Sequence, residues 1–208
     1  MFQVALLVVA FFLQSCGNTQ SRPKAFMAEY GKWRSNQIEV CWENPTENDL
    51  AERQLVEETV QDTWAKHSQL EFTGWEKCTF SNRGIRIKIS DSGAGTKGLG
   101  KRIKGRKNGM TLNFIFKNWR QDCLSQKEVC IRSIATHEFG HAIGFAHEQN
   151  RHDTPDSCKI PSSGSKGTNP IGDWDKKSIM NYCNEDLFSG DLLSKGDIEA
   201  VQAVYGHN

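Results

Sequence analysis

A chain of 208 residues has room for one domain with a substantial core, or for two small lobes facing a cleft, and no length for a second independent domain. A net charge of +1 with 37% hydrophobic residues fits a soluble globular protein and argues against one that binds nucleic acid through its overall charge.

Val4 to Leu13 is an uninterrupted apolar run, too short to span a bilayer and placed where a secretory signal carries its hydrophobic region. Residues 1–16 therefore read as a signal peptide. Leu13-Gln14-Ser15-Cys16 resembles a bacterial lipobox, which would make Cys16 a diacylated first residue anchored in a membrane; cleavage after Gly17 is the rival, and Met1-Phe2-Gln3 lacks the usual Lys or Arg. Residues 17–35 are polar and are expected to form a tether, with the folded domain spanning 36–208.

Ile38 to Trp42 alternates like a strand and Asn44-Pro45 closes it. Thr46 with Asp49 forms a capping box, after which Val56, Val60 and Trp64 recur at helical spacing and predict a backing helix. Leu70–Trp75, Ile85–Ser90 and Met110–Phe116 read as further strands of one twisted sheet. The loop from Ser92 to Gly109 combines glycines with Lys97, Lys101, Arg102, Lys104, Arg106 and Lys107. It reads as a solvated flexible loop, or more sharply as a rim favouring acidic peptides or as a patch for anionic lipid or glycan; with little aromatic interleaving, nucleic acid ranks third. Ser125 and Glu128 predict the cap of a second helix, and Ser194 with Asp197 opens a last helix through Tyr205. The fold class is α/β (α+β), with a loop-rich lower lobe between His147 and Ser178.

Seven cysteines are an odd set, but setting Cys16 aside leaves Cys41, Cys78, Cys123, Cys130, Cys158 and Cys183. An even set suits an oxidising compartment, and sequence order favours Cys41–Cys78, Cys123–Cys130 and Cys158–Cys183. A secreted or cell-envelope protein is expected.

The strongest chemical signal is His137-Glu138-Phe139-Gly140-His141-Ala142-Ile143-Gly144-Phe145-Ala146-His147. On a helix His137 and His141 share one face about a turn apart, within reach of one metal ion, and Glu138 is offset so that it can reach a metal-bound water without being a ligand. A continuous helix would carry His147 about 15 Å along its axis from His137, whereas a Zn–N bond is about 2 Å. The helix must therefore stop, and Gly144 stands where a reversal needs positive φ. Three histidines leave Zn2+ an open position, the mark of a catalytic rather than a structural site. His67, His152 and His207 have no partner at ligand spacing.

This run, with Ser178-Ile179-Met180-Asn181-Tyr182 downstream, resembles the metzincin zinc endopeptidases, and Glu148-Gln149-Asn150-Arg151 makes it most similar to the astacin family. The resemblance implies a metzincin-like twisted mixed sheet with a backing helix, an active-site helix and a C-terminal helix. It implies Met180 as an apolar floor beneath the metal, and Tyr182 as a tyrosine that reaches the metal as a fifth ligand or hydrogen-bonds the reaction oxyanion. It also implies that the last strand before the active-site helix, Leu112–Phe116, is an edge that pairs with an extended substrate. Asn181 departs from the histidine usual there, and Glu148 resembles the glutamate that pairs with a matured N-terminus.

The expected protein is a monomeric zinc metalloendopeptidase. Zn2+ sits on His137, His141 and His147, Glu138 is the general base, Tyr182 stabilises the oxyanion, and the substrate is a protein or peptide, with an acidic one favoured if the basic loop rims the cleft. The alternatives are a non-catalytic envelope module that zinc only stabilises and, last, a zinc amidohydrolase acting on peptidoglycan.

Overall fold

The computed structural model describes residues 25–28, 30–161, 164, 167–188 and 192–208. Val4–Leu13 and Cys16 lie outside them. Its strands are β1 (Ala25–Met27), β2 (Gln37–Trp42), β3 (Glu71–Lys77), β4 (Ile85–Ile89), β5 (Gly95–Thr96), β6 (Met110–Leu112) and β7 (Asn169–Ile171), and its α-helices are α1 (Leu50–Val60), α2 (Lys127–Ala142) and α3 (Lys195–Tyr205). Five strands form one mixed sheet in the order β3-β2-β4-β6-β5, and β1 pairs with β7 in a second, two-stranded sheet.

Parallel pairing of β2 with β3 needs a crossover, and α1 supplies it. Val56, Val60 and Trp64 are fully buried, as their helical spacing predicts, with Trp64 in a π-helical turn that continues α1. The Trp64 indole N–H donates to Thr136 O at 2.9 Å, locking this unit onto α2. From α2, Phe139 meets Phe72 edge-on at 5.4 Å and stacks on Trp75 at 5.7 Å. Phe139 thus helps to seat α2 on the sheet.

Several expectations are corrected. The stretch expected as a tether is folded at Ala25, Phe26, Met27, Ala28 and Trp33, which are buried, and β1 runs antiparallel to β7. A three-residue strand held by main-chain bonds leaves no alternation to read. The predicted strand Met110–Phe116 ends at Leu112, because Asn113 Oδ1 accepts the amides of Ile115 and Phe116 at 2.8 and 2.9 Å and turns the chain. Nor is it the sheet edge, since β6 is flanked by β4 and by antiparallel β5, which takes the edge. Ser125 does not cap α2: it sits in a preceding 3-10 turn, where its hydroxyl donates to Asp122 O at 3.3 Å. The basic loop is not a free loop either, for it contains β5 and a 3-10 helix at Gly100–Ile103 that buries Leu99 and Ile103.

The predicted caps at Thr46 and Ser194 form. Thr46 N–H donates to the Asp49 carboxylate at 3.0 Å, and Asp197 N–H donates to Ser194 Oγ at 2.9 Å. The disulfides are Cys41–Cys78, Cys123–Cys130 and Cys158–Cys183, the pairing that sequence order favours. Cys123–Cys130 ties the 3-10 turn to the start of α2, and Cys158–Cys183 ties the lower lobe to the residue after Tyr182. Each limits the unfolded chain, worth roughly 2–4 kcal/mol.

Candidate active site

α2 carries His137, Glu138 and His141 and stops at Ala142, as the position of His147 requires. Gly144 has φ +113°, in the left-handed region, and a Cβ there would also lie 2.9 Å from Met27 Cε. The helix-end carbonyls find donors in side chains from distant parts of the chain. Trp33 Nε1 donates to Ala142 O at 2.7 Å and the Tyr205 hydroxyl donates to Ile143 O at 2.6 Å. The returning chain then runs beside the N-terminal segment, with Ala28 N–H donating to Gly144 O at 3.0 Å and Ala146 N–H to Phe26 O at 2.6 Å. Those bonds set the direction from which His147 enters.

The three imidazoles converge. His147 Nε2 lies 3.1 Å from His137 Nε2 and 3.0 Å from His141 Nε2. His137 Nδ1 is 2.7 Å from Ile179 O and His141 Nδ1 is 2.8 Å from Phe145 O. A carbonyl can only accept, so both rings carry the proton on Nδ1 and turn an Nε2 lone pair inward. Burial, and the other imidazoles beside them, hold His137 down at about 3 and His141 well below the ordinary histidine value, so both stay neutral. Three imidazole nitrogens brought to one point are the donor set that Zn2+ takes, and among the described residues this is the cluster of His, Cys, Asp and Glu able to hold a metal.

Glu138 is buried beside them, and its Oε2 has no hydrogen-bond partner among the described residues. Burial pushes its carboxyl up to about 8. A buried acceptor left open on a residue that lines the same cleft as His137 fits a water or substrate group held there. The cleft next to it, about 260 Å³, is lined by His137, Glu138, Tyr182 and a largely apolar set that includes Trp119, Ile134 and Phe188. A larger hollow of about 550 Å³, bounded by Thr59, Arg132 and Lys177, contains none of the cluster.

Met180 is buried with its sulfur against Gly140 of α2, and Ile179 and Met180 join the turn to its surroundings through their carbonyls. Ile179 O faces His137, and Met180 O accepts from Glu148 N–H at 2.9 Å. The Tyr182 ring stacks on His137 with centroids 5.3 Å apart and lies 4.5 Å from the His147 ring. Burial and the Glu138 charge raise its phenol to about 12, so it remains a proton donor. Asn181 is buried and satisfied: its Nδ2 donates to Asp175 O at 2.8 Å and its Oδ1 accepts from Cys183 N–H at 3.0 Å.

Glu148 pairs with Arg151 Nε at 3.5 Å and accepts from Asp175 N–H at 3.1 Å, while burial lifts its carboxyl to about 8 against the pull of that guanidinium. Arg151 in turn donates to Ala25 O at 2.7 Å and Gly172 O at 2.6 Å, clamping β1 to the lower lobe. Two supporting residues escape a reading of the sequence. Gln149 Oε1 accepts from Tyr182 N–H at 3.1 Å, and Asp197 accepts from Ser178 Oγ at 2.6 Å and Ile179 N–H at 2.9 Å. Nothing in the spacing announces Gln149, and Asp197 is visible only as a helix cap.

A family model described as Astacin, a peptidase family, matches residues 26–168, a span that includes all three histidines and Glu138 and stops short of Met180 and Tyr182. Comparison with curated proteins gives no match. Among solved structures, myroilysin is similar at 20% identity and a TM-score of 0.64, over 88% of this chain and 98% of that one; a second myroilysin structure gives 0.58. High choriolytic enzyme 1, a hatching enzyme zinc-protease from Oryzias latipes (medaka fish), is similar at 18% identity and a TM-score of 0.53, over 85% and 94%. At such identities the likeness is one of fold, and the fold is metzincin-like, as the motif implied. A family match over most of the described chain, falling on a helix that delivers three converging imidazoles, makes this protein a member of the astacin family of zinc metalloendopeptidases.

Proposed function

We propose that His137, His141 and His147 hold one Zn2+, that Glu138 is the general base and that Tyr182 steadies the oxyanion during hydrolysis of an internal peptide bond. Bound there, zinc supplies a Lewis acid that polarises the scissile carbonyl and acidifies water. The buried Glu138 carboxyl, drawn down from about 8 by the charge of a bound Zn2+, takes the proton of the attacking water through its open Oε2 and delivers it to the leaving amine nitrogen. The Tyr182 hydroxyl donates to the oxygen that gains charge. Met180 packs beneath the rings and keeps them oriented. The observation that carries this reading is the unpartnered, buried Glu138 oxygen next to three convergent nitrogens.

The antiparallel edge strand β5, rather than Leu112–Phe116, is the segment against which an extended substrate would pair. A protein or peptide substrate follows from the family.

We also place the enzyme outside the reducing cytoplasm. The apolar run Val4–Leu13 and the three disulfides support export, with Cys16 either acylated as a membrane anchor or lost by cleavage after Gly17. No helix among the described residues is long and apolar enough to cross a membrane. Intact mass of the exported protein distinguishes the two, and a chain retaining Met1 would refute both.

The test of the active site is Glu138→Gln assayed on a peptide library, with zinc content measured beside it. Full zinc with turnover reduced by about 10²-fold or more supports the assignment. Undiminished turnover in the zinc-loaded variant removes Glu138 from the chemistry.

A further inference from the structure

Residues 97–107 carry Lys97, Lys101, Arg102, Lys104, Arg106 and Lys107 without one carboxylate, in a chain whose net charge is only +1. Like charges this dense repel one another, and a loop free to move would spread them. This one is fixed. Lys101 N–H donates to Gly31 O at 2.9 Å, Gly105 N–H to Gly84 O at 2.8 Å and Lys97 N–H to Gly109 O at 2.8 Å, while Leu99 and Ile103 anchor it in the interior.

Lys101, Lys104, Arg34 and Arg83 line one groove of about 440 Å³. Among the described residues none of these cations, nor Lys97, Arg102, Arg106 or Lys107, has an ion-pair partner. The carboxylate in the groove, Glu39, is occupied by Asn82 Nδ2 and by Arg83 N–H at 2.9 Å. Next to Arg83, Phe80 is 93% exposed, with the Arg83 guanidinium 5.8 Å from its ring centre. An aromatic left almost wholly in water beside a rigid cationic groove offers a stacking face next to anion-pairing groups.

We propose that this groove binds an anionic polysaccharide, with Arg34, Arg83, Lys101 and Lys104 pairing its acidic groups and Phe80 stacking on a sugar ring. A concave site suits a linear chain and does not suit a bilayer surface. The three disulfides place the protein where acidic glycans, rather than nucleic acids, are the abundant polyanions. None of the groove residues lines the cleft beside Glu138, so the site would hold the enzyme on a matrix without entering its chemistry.

The probe is a size-defined dextran sulfate oligosaccharide, titrated into the full chain at low and physiological salt. Saturable binding is expected, weakening with salt, and falling at least tenfold in the double variant Lys101→Glu/Lys104→Glu. The same charge change made elsewhere, Lys66→Glu/Lys195→Glu, should leave it intact, and cleavage of a short neutral peptide by both variants reports that each is folded. Equal loss in the two double variants would reduce the effect to net charge and overturn the groove. So would absent binding, equal binding of uncharged dextran, or tighter binding to a single-stranded oligonucleotide or to phosphatidylserine vesicles.

Discussion

Gly140 and Met180 share one contact surface: a Cβ on Gly140 would fall inside the envelope of the Met180 sulfur and 3.1 Å from the Trp64 ring. The glycine inside the zinc motif is therefore a packing requirement set by a residue forty positions downstream and by the backing unit behind it. Gly140→Ala must push Met180 or Trp64 aside, an overpacking cost of typically 1–3 kcal/mol. We expect a lower unfolding midpoint and weaker zinc retention, whereas Met180→Leu, which conserves volume, should cost under about 1.5 kcal/mol. An alanine variant as stable as the parent would show that the turn lies elsewhere.

Tyr182 stacks on His137 and borders the cleft but is itself nearly half exposed, so removing its hydroxyl should disturb chemistry far more than folding. Tyr182→Phe keeps the ring contacts and loses one donor, worth a few kcal/mol in the transition state. kcat should fall by about 10²-fold with KM and the unfolding midpoint nearly unchanged. A change confined to KM would instead make the tyrosine a substrate-binding residue.

The histidine cluster was legible because metal chemistry leaves so little freedom: two histidines a helical turn apart, a glycine where the helix must stop and a third histidine that can reach back only if it does. The packing around that set was not. Trp33 and Tyr205 cap α2 from opposite ends of the chain, and neither position differs in character from an ordinary core aromatic. β1 is held by main-chain groups, to which sequence patterning is blind. β6 is cut short by an asparagine side chain competing for two amides, a local choice that outweighs the strand propensity of Phe114 to Phe116. Ser125 and Glu128 carry a cap signature, yet the 3-10 turn stapled by Cys123–Cys130 delays the helix past it.

The N-terminal segment makes a further demand. β1 lies between the stretch leading to His147 and β7, and Arg151 reaches it at Ala25 O. A chain lacking residues 1–24 keeps all of these bonds, whereas one lacking residues 1–30 loses together the donor to Gly144 O, the acceptor of Ala146 N–H and one of the acceptors of Arg151. The first truncation should retain peptidase activity and the second should lose zinc or fail to fold, as read by metal analysis and circular dichroism. Equal activity in both would mean that the lower lobe positions His147 unaided.

Asp197 links α3 to the Ser178–Tyr182 turn, since its carboxylate accepts from Ser178, Ile179 and Ser194, and Ile179 O orients His137. Burial outweighs those donors and lifts its carboxyl from 3.8 to about 6. Between those values the folded chain keeps a proton that the unfolded chain has released. The stabilisation from this group is therefore greatest below about 4, declines as pH rises toward 6 by at most about 1.4 kcal/mol per unit, and is level above that. Asp197→Asn cannot titrate, so its urea midpoint should lose this component of the slope. Parallel midpoint-versus-pH curves for the two proteins between pH 4 and 6 would show that the carboxyl is ionised throughout, held so by its three hydrogen bonds.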